Sequence, residues 1–126
     1  MDNNLHAINW FEIPATNLDR AYSFYHTILP GCVRKGTFLG GDLVLFDVPF
    51  QNGSAVGGSI SVRADLKPTA DGPIIYLNTF GQLDEALARV TTAGGTVLAP
   101  KMDLGNFGHA AIILDSEGNK IGLHQR

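Results

Sequence analysis

Cysteine is nearly missing from this chain: Cys32 stands alone among 126 residues. One thiol cannot close an intrachain disulfide, so packing must hold the fold, and a reducing compartment suits it. Clustered positive charge is missing too. Nine Lys and Arg stand against twelve Asp and Glu, a net charge of -3, and no basic run offers a phosphate track, which excludes nucleic acid as an expected partner. No apolar run approaches the roughly 20 residues that span a bilayer, so no membrane partner is expected. Met1-Asp2-Asn3-Asn4 has neither a basic start nor an apolar stretch. It does not read as a secretory leader, and the cytoplasm is the expected location. No segment is low in complexity. What the chain does have is apolar matter, 44% of its residues, enough for one compact domain over 1–126 with a real core.

A pattern then occurs twice. Ile8-Asn9-Trp10-Phe11-Glu12-Ile13 precedes Leu18-Asp19-Arg20-Ala21, and Pro73-Ile74-Ile75-Tyr76-Leu77-Asn78 precedes Leu83-Asp84-Glu85-Ala86, 65 residues later. In each copy a strand-like run feeds a helix-like run, the mark of a duplicated supersecondary unit. In the first copy, residues 6–14 read as a strand. Thr16 or Asn17 is placed to cap a helix carrying Leu18, Ala21, Tyr22, Tyr25 and Leu29 on one face, and Pro30-Gly31 stops it. Cys32 to Thr37, Phe38 to Val48 and Ala55 to Ala64 follow as strands, with Gly40-Gly41 and Asn52-Gly53 as turns. Residues 65–72 form a linker. In the second copy, Pro73 to Thr79 is a strand and Gln82 to Ala93 a helix that ends at Gly94-Gly95. Thr96 to Met102, His109 to Leu114 and Lys120 to His124 are three strands, the last two joined by the turn Asp115 to Asn119. The reading is α+β: a βαβββ module over about 6–64 and another over about 73–125.

These two units, the Asn17-Leu18-Asp19-Arg20-Ala21 segment leading to Phe24-Tyr25, and the closing Leu114-Asp115-Ser116-Glu117-Gly118-Asn119-Lys120-Ile121 resemble the vicinal oxygen chelate superfamily. That is the family of glyoxalase I, bleomycin-resistance proteins and extradiol dioxygenases. The resemblance covers roughly residues 6–125. It implies two curled sheets forming a cup, often a homodimer, and in metal-dependent members ligands on the first and last strands of each module. By register from the helix motif those positions here are Trp10 and Ile75 on the first strands and Gly122 on the last strand. The last strand of the first module offers Gly58, Ser59 or Ser61. None is His, Asp or Glu, the side chains a divalent ion of this kind needs. No metal site is assigned and no cofactor is expected. His6, His26 and His109 show no close ligand spacing.

Strand alternation sharpens the cup face. If Trp10 faces the cup, so do Ile8 and Glu12. If Gly122 faces it, so does His124. Phe11, Ile13, Ile121 and Leu123 then pack against the helices. A carboxylate and an imidazole on an apolar concave face suit proton abstraction beside a carbonyl without metal, so Glu12 and His124 are the candidate catalytic pair. The same two side chains would also serve as anchors for a ligand, as holders of one divalent ion together with waters, or only as structural hydrogen-bonding groups. Trp10 is either a stacking wall or core. Phe46, Ile75, Met102, Asn106, Phe107 and Gly122 complete the candidate ligand-binding set, with Gly122 expected to leave open space. Residues 102–108 form either a mobile lip or an ordinary connection. Three functions follow. One is a glyoxalase-like lyase or isomerase working without the usual metal. Another is a protein that sequesters a drug or metabolite without converting it. The third is a metal-dependent lyase or dioxygenase with displaced ligands. In each the partner is a small molecule.

Overall fold

The computed structural model describes residues 5–126. Met1 to Asn4, read above for the absence of a leader, lie outside the described residues. Two four-stranded sheets form, each built from one module. The first carries β1 (Trp10–Pro14), β2 (Val33–Phe38), β3 (Gly41–Phe46) and β4 (Gly57–Ser61) in the order β1-β4-β3-β2. The second carries β5 (Tyr76–Asn78), β6 (Thr96–Asp103), β7 (His109–Leu114) and β8 (Lys120–Gln125) in the order β5-β8-β7-β6. In each, the first strand pairs parallel with the last and the others pair antiparallel. No helix among the described residues is long and apolar enough to cross a membrane.

Helices α1 (Leu18–Ile28) and α2 (Leu83–Ala93) pack on each other and on the sheets. Asn17 is the cap of α1, its side-chain oxygen accepting from the Arg20 N–H at 3.0 Å. Ala21, Phe24, Tyr25 and Ile28 are the buried positions of α1, so the apolar stripe runs slightly off the expected one. At the start of α2 the Gln82 side chain makes no capping bond, and Gln125 on β8 accepts from the Leu83 N–H at 3.0 Å instead. Gly94 closes α2 in the left-handed conformation at φ 105°, where a Cβ would be strained. One apolar cluster runs through both modules, from Ile13, Phe24 and Ile60 to Leu83, Ile113 and Leu123.

Among the described residues the sheets are not joined strand to strand. The β7–β8 turn reaches across and docks on the β1–α1 turn. Glu117 Oε1 accepts from the backbone N–H of Thr16 and Asn17, both at 2.9 Å, and Arg20 donates from Nε to Oε2 at 2.6 Å. Asp115 accepts from the Tyr25 hydroxyl at 2.7 Å, and the Asn119 amide donates to the Pro14 carbonyl at 2.7 Å. Burial alone would push the Glu117 carboxyl up. The Arg20 guanidinium, the two backbone N–H groups and the Ser116 hydroxyl outweigh it and hold it at about 2.

A carboxyl depressed on folding adds stability that is full above its unfolded value and lost as pH falls toward the folded one. The Glu117 contribution is therefore complete above about pH 5 and gone near pH 2. With Arg20 half exposed, it is worth roughly 1–2 kcal/mol. Glu117→Gln is expected to lower stability by about that much at pH 7 and to flatten the acid limb of the stability curve between those pH values. Chemical denaturation across pH 2–7 checks it, and an unchanged acid limb would count against the assignment.

Candidate functional site

The first sheet turns one face to the α-helices and leaves the other open. Along β1 the alternation puts Phe11 and Ile13 on the helix side, where Ile13 is buried. Trp10 and Glu12 lie on the open face and line a cleft of about 600 Å³. Trp10, Phe38 and Phe50 supply aromatic walls, Leu43 and Leu45 an aliphatic side, and Thr37, Ser59 and Glu12 the polar groups. Trp10 and Phe50 meet edge to face at 4.9 Å. The pair sits over Gly57, where a Cβ would run into both rings. The Trp10 indole N–H donates to Ser59 Oγ at 3.4 Å, and Ser59 lies 3.4 Å from the Ser61 hydroxyl.

Glu12 is not alone at the cleft. Its Oε1 accepts from Arg63 Nη1 at 2.8 Å. Arg63 also holds Asp65 through two bonds, Nε to Oδ1 at 3.1 Å and Nη2 to Oδ2 at 3.0 Å. The Asp65 and Glu12 carboxylates, in that order, hold the Arg63 guanidinium above its ordinary range. Arg63, Phe38, Phe50, Leu43 and Leu45 were missing from the sequence-derived set. The parallel pairing of β1 with β4 brings Arg63 beside Glu12, and that pairing is the only signal that would have found it.

The second sheet departs from the expected register. Tyr76 pairs with Gly122 and Leu77 with Leu123. Ala15 donates to the Ser61 carbonyl and Thr79 to that of His124, so the strand ends correspond at an offset of 64. The helices correspond at 65, because the β5–α2 turn is one residue longer than the β1–α1 turn. Phe80 and Gly81 make it with positive φ, 53° and 80°. Counting back from the helix therefore misses the face by one. Ile75 packs against the core, Ile74 falls at the Trp10-equivalent position, and Tyr76 stands beside Gly122. Gly122 does not leave open space either. A Cβ there would run into the Tyr76 ring, which fills the position.

The remaining expected residues disperse. Phe46 is buried against Phe11 and Tyr25 at 5.2 and 5.7 Å. With Ile75, Leu77, Phe11, Cys32 and Ile8 it lines a separate cavity of about 410 Å³ between the modules. Ile8 thus falls off the cup face, because it precedes β1. Burial, then Asp47, pushes the Cys32 thiol up, which keeps it protonated. Met102, Asn106 and Phe107 are exposed and do not line the Trp10 cleft. The 102–108 segment is held at several points: Leu104 N–H to Gly108 O at 2.7 Å, Gly105 N–H to Asp103 Oδ1 at 2.8 Å, and His124 Nε2 against Phe107 O at 2.6 Å. His124 is thus engaged by Phe107 on the second sheet and Glu12 by Arg63 on the first. The structure does not bring the two together as an acid–base pair.

This architecture can be matched to known proteins. The sequence profile of the Glyoxalase/Bleomycin resistance protein/Dioxygenase superfamily matches residues 7–123. The chain belongs to that superfamily. CFP32 of Mycobacterium bovis and Mycobacterium tuberculosis, a glyoxylase by name, is 29% identical over 121 residues, which are 93% of this chain and 44% of CFP32. The chain thus spans less than half of that relative. A glyoxalase/bleomycin resistance protein from Albidiferax ferrireducens superposes with a TM-score of 0.73 at 16% identity, covering 96% of this chain and 99% of the other. The fosfomycin resistance protein FosX of Listeria monocytogenes gives 0.63 at 14%, covering 97% and 92%. Likenesses at that identity carry the fold, and the chemistry must come from the side chains.

A divalent metal of the kind used in part of this superfamily needs several imidazole or carboxylate donors at one point. Among the described residues no three His, Cys, Asp or Glu side chains converge on one point. Trp10 stands at the first-strand position, and the Tyr76 ring covers Gly122 on the last strand of the second module. The Tyr76 packing is testable. Gly122→Ala is expected to cost roughly 1 kcal/mol by overpacking. In a Tyr76→Ala background the same change is expected to be nearly neutral. Urea unfolding of the four proteins measures the coupling, and fully additive costs would mean that another group fills the space.

Proposed function

We propose that this protein binds a small, flat, largely apolar molecule in the Trp10 cleft and holds it without converting it. The observation that carries the reading is the cleft lining. Three aromatic rings and two leucines surround a single carboxylate and two hydroxyls, the composition of a pocket that takes an apolar body and orients it by a few polar contacts. Holding is favoured over turnover because Glu12 and His124 have separate partners on separate sheets. Glu12 also finds no second titratable group among the residues lining its cleft. Among the described residues β1, β2, β5 and β6 are the edge strands of the two sheets. Such edges offer pairing positions to a second copy, so a homodimer belongs to the same reading.

Trp10 is the only Trp in the chain, so its emission reports this cleft directly. Titration with a set of flat aromatic compounds is expected to quench or shift that emission, with no product detectable by mass spectrometry. Phe50→Ala, which removes the edge-to-face partner of Trp10, is expected to weaken binding by about tenfold while leaving the fold intact. Chemical conversion of a bound compound would overturn the holding role. Failure of every compound to perturb Trp10 at millimolar concentration would overturn the site.

A further inference from the structure

One carboxylate of an ion pair reaches the lining of the Trp10 cleft. Of the residues lining it, Glu12 alone is ionisable, and its side chain is 33% exposed. Arg63, which neutralises it, stands outside the lining set and touches Glu12 through a single nitrogen, Nη1. The other two Arg63 nitrogens grip Asp65 in a two-bond fork. Such bidentate pairing is stronger and more directional than a single contact. Asp65 is the larger influence on Arg63, and it is itself held below its ordinary range by Arg63 first of all. If Arg63 releases Glu12, it therefore remains paired. The cluster of Glu12, Arg63 and Asp65 also carries two negative charges against one positive. Lys67 and Lys120 line a second pocket that Glu12 also borders, and neither reaches the lining of the Trp10 cleft.

Resting on the reading of the cleft as a ligand site, we infer that the ligand is an organic cation: a flat aromatic body seated against the wall that Trp10 and Phe50 form together, bearing an ammonium or amidinium group that takes Glu12 from Arg63. The exchange is one ion pair for another. Arg63 keeps Asp65, Glu12 gains the ligand's N–H donors, and no bond beyond hydrogen bonds forms or breaks. A desolvated aromatic seat strengthens this, because the faces of Trp and Phe attract cations. An anionic ligand has no counterpart in the arrangement. All three Arg63 nitrogens already have carboxylate partners, and Glu12 would repel it.

The test is an isosteric series on the full chain, read by calorimetry: naphthalen-1-ylmethylamine, naphthalen-1-ylmethanol and 1-naphthoate. The amine is expected to bind about tenfold more tightly than the alcohol, with naphthoate weakest. Glu12→Gln is expected to bring amine and alcohol within about twofold of each other. Asp65→Asn removes the partner to which Arg63 retreats, so the amine is expected to weaken several-fold and the alcohol to stay unchanged. Both substitutions lie at exposed or half-exposed positions, where folding is least at risk. Equal affinity of amine and alcohol for the parent protein would overturn the cation inference and leave the cleft as a site for neutral molecules. Tightest binding of naphthoate would overturn it in favour of Arg63 as the anchor. If no member bound at all, the cleft reading itself would fall.

Discussion

Glu117 keeps its charge with a side chain that is 1% exposed. A carboxylate withdrawn from water is costly unless donors surround it. Here they come almost wholly from the other module: the backbone N–H groups of Thr16 and Asn17, the Thr16 hydroxyl and the Arg20 guanidinium. Those N–H groups stand at the start of α1, where a helix leaves donors without partners and favours negative charge. The second module thus completes the first helix of the first. Because the two sheets share no backbone ladder, this clasp, the Asp115 and Asn119 bonds beside it and the apolar contact of α1 with α2 fix how the modules sit. Everything placed by that fit, including the cavity between them, depends on this turn together with the α1–α2 contact.

The same turn explains why the sequence spoke so clearly there. Asp115 to Asn119 does more than reverse the chain. Asp115 accepts from the backbone of Glu117 and Asn119, both at 2.9 Å, which shapes the turn, and its other oxygen takes the buried Tyr25 hydroxyl. Burial and the neighbouring Asp115 push the Tyr25 hydroxyl well above its ordinary range, so it remains a donor. A stretch that must satisfy its own turn and a distant helix at once leaves little freedom in residue type. Such stretches are where local reading succeeds.

The legibility of the site was uneven for a physical reason. Fold class, both helices and the βαβββ succession of each module follow from period and turn residues, and Trp10 and Glu12 follow from alternation within one strand. Alternation propagates without error along a strand but not across a turn. The extra residue at Phe80-Gly81 shifted the second module by one, and a shift of one exchanges the faces. Ile75 was therefore expected at the position that Ile74 holds. Phe46 was expected in the cup although its strand puts Val44 and Phe46 on the buried side, as their matched burial shows. Arg63 was invisible because its contact with Glu12 arises from a parallel crossover spanning 51 residues. No local pattern encodes that.

Within a fold shared by proteins of different chemistry, what the open faces carry is decisive. A face that presents imidazoles and carboxylates at strand centres can converge on an ion. This chain puts rings over glycines instead, Trp10 and Phe50 over Gly57 and Tyr76 over Gly122, each pair matched across parallel strands. Aromatic cover over glycine repairs the missing side-chain packing of a strand. It also takes up the space a ligating side chain would need. The one ionisable residue lining the cleft, Glu12, survives in an apolar setting because Arg63 can reach it from the strand end while anchored on Asp65. An anchored partner costs less ordering entropy than a free one, since Asp65 already restrains the Arg63 side chain. The same packing leaves at the cleft a carboxylate that meets its partner through a single nitrogen.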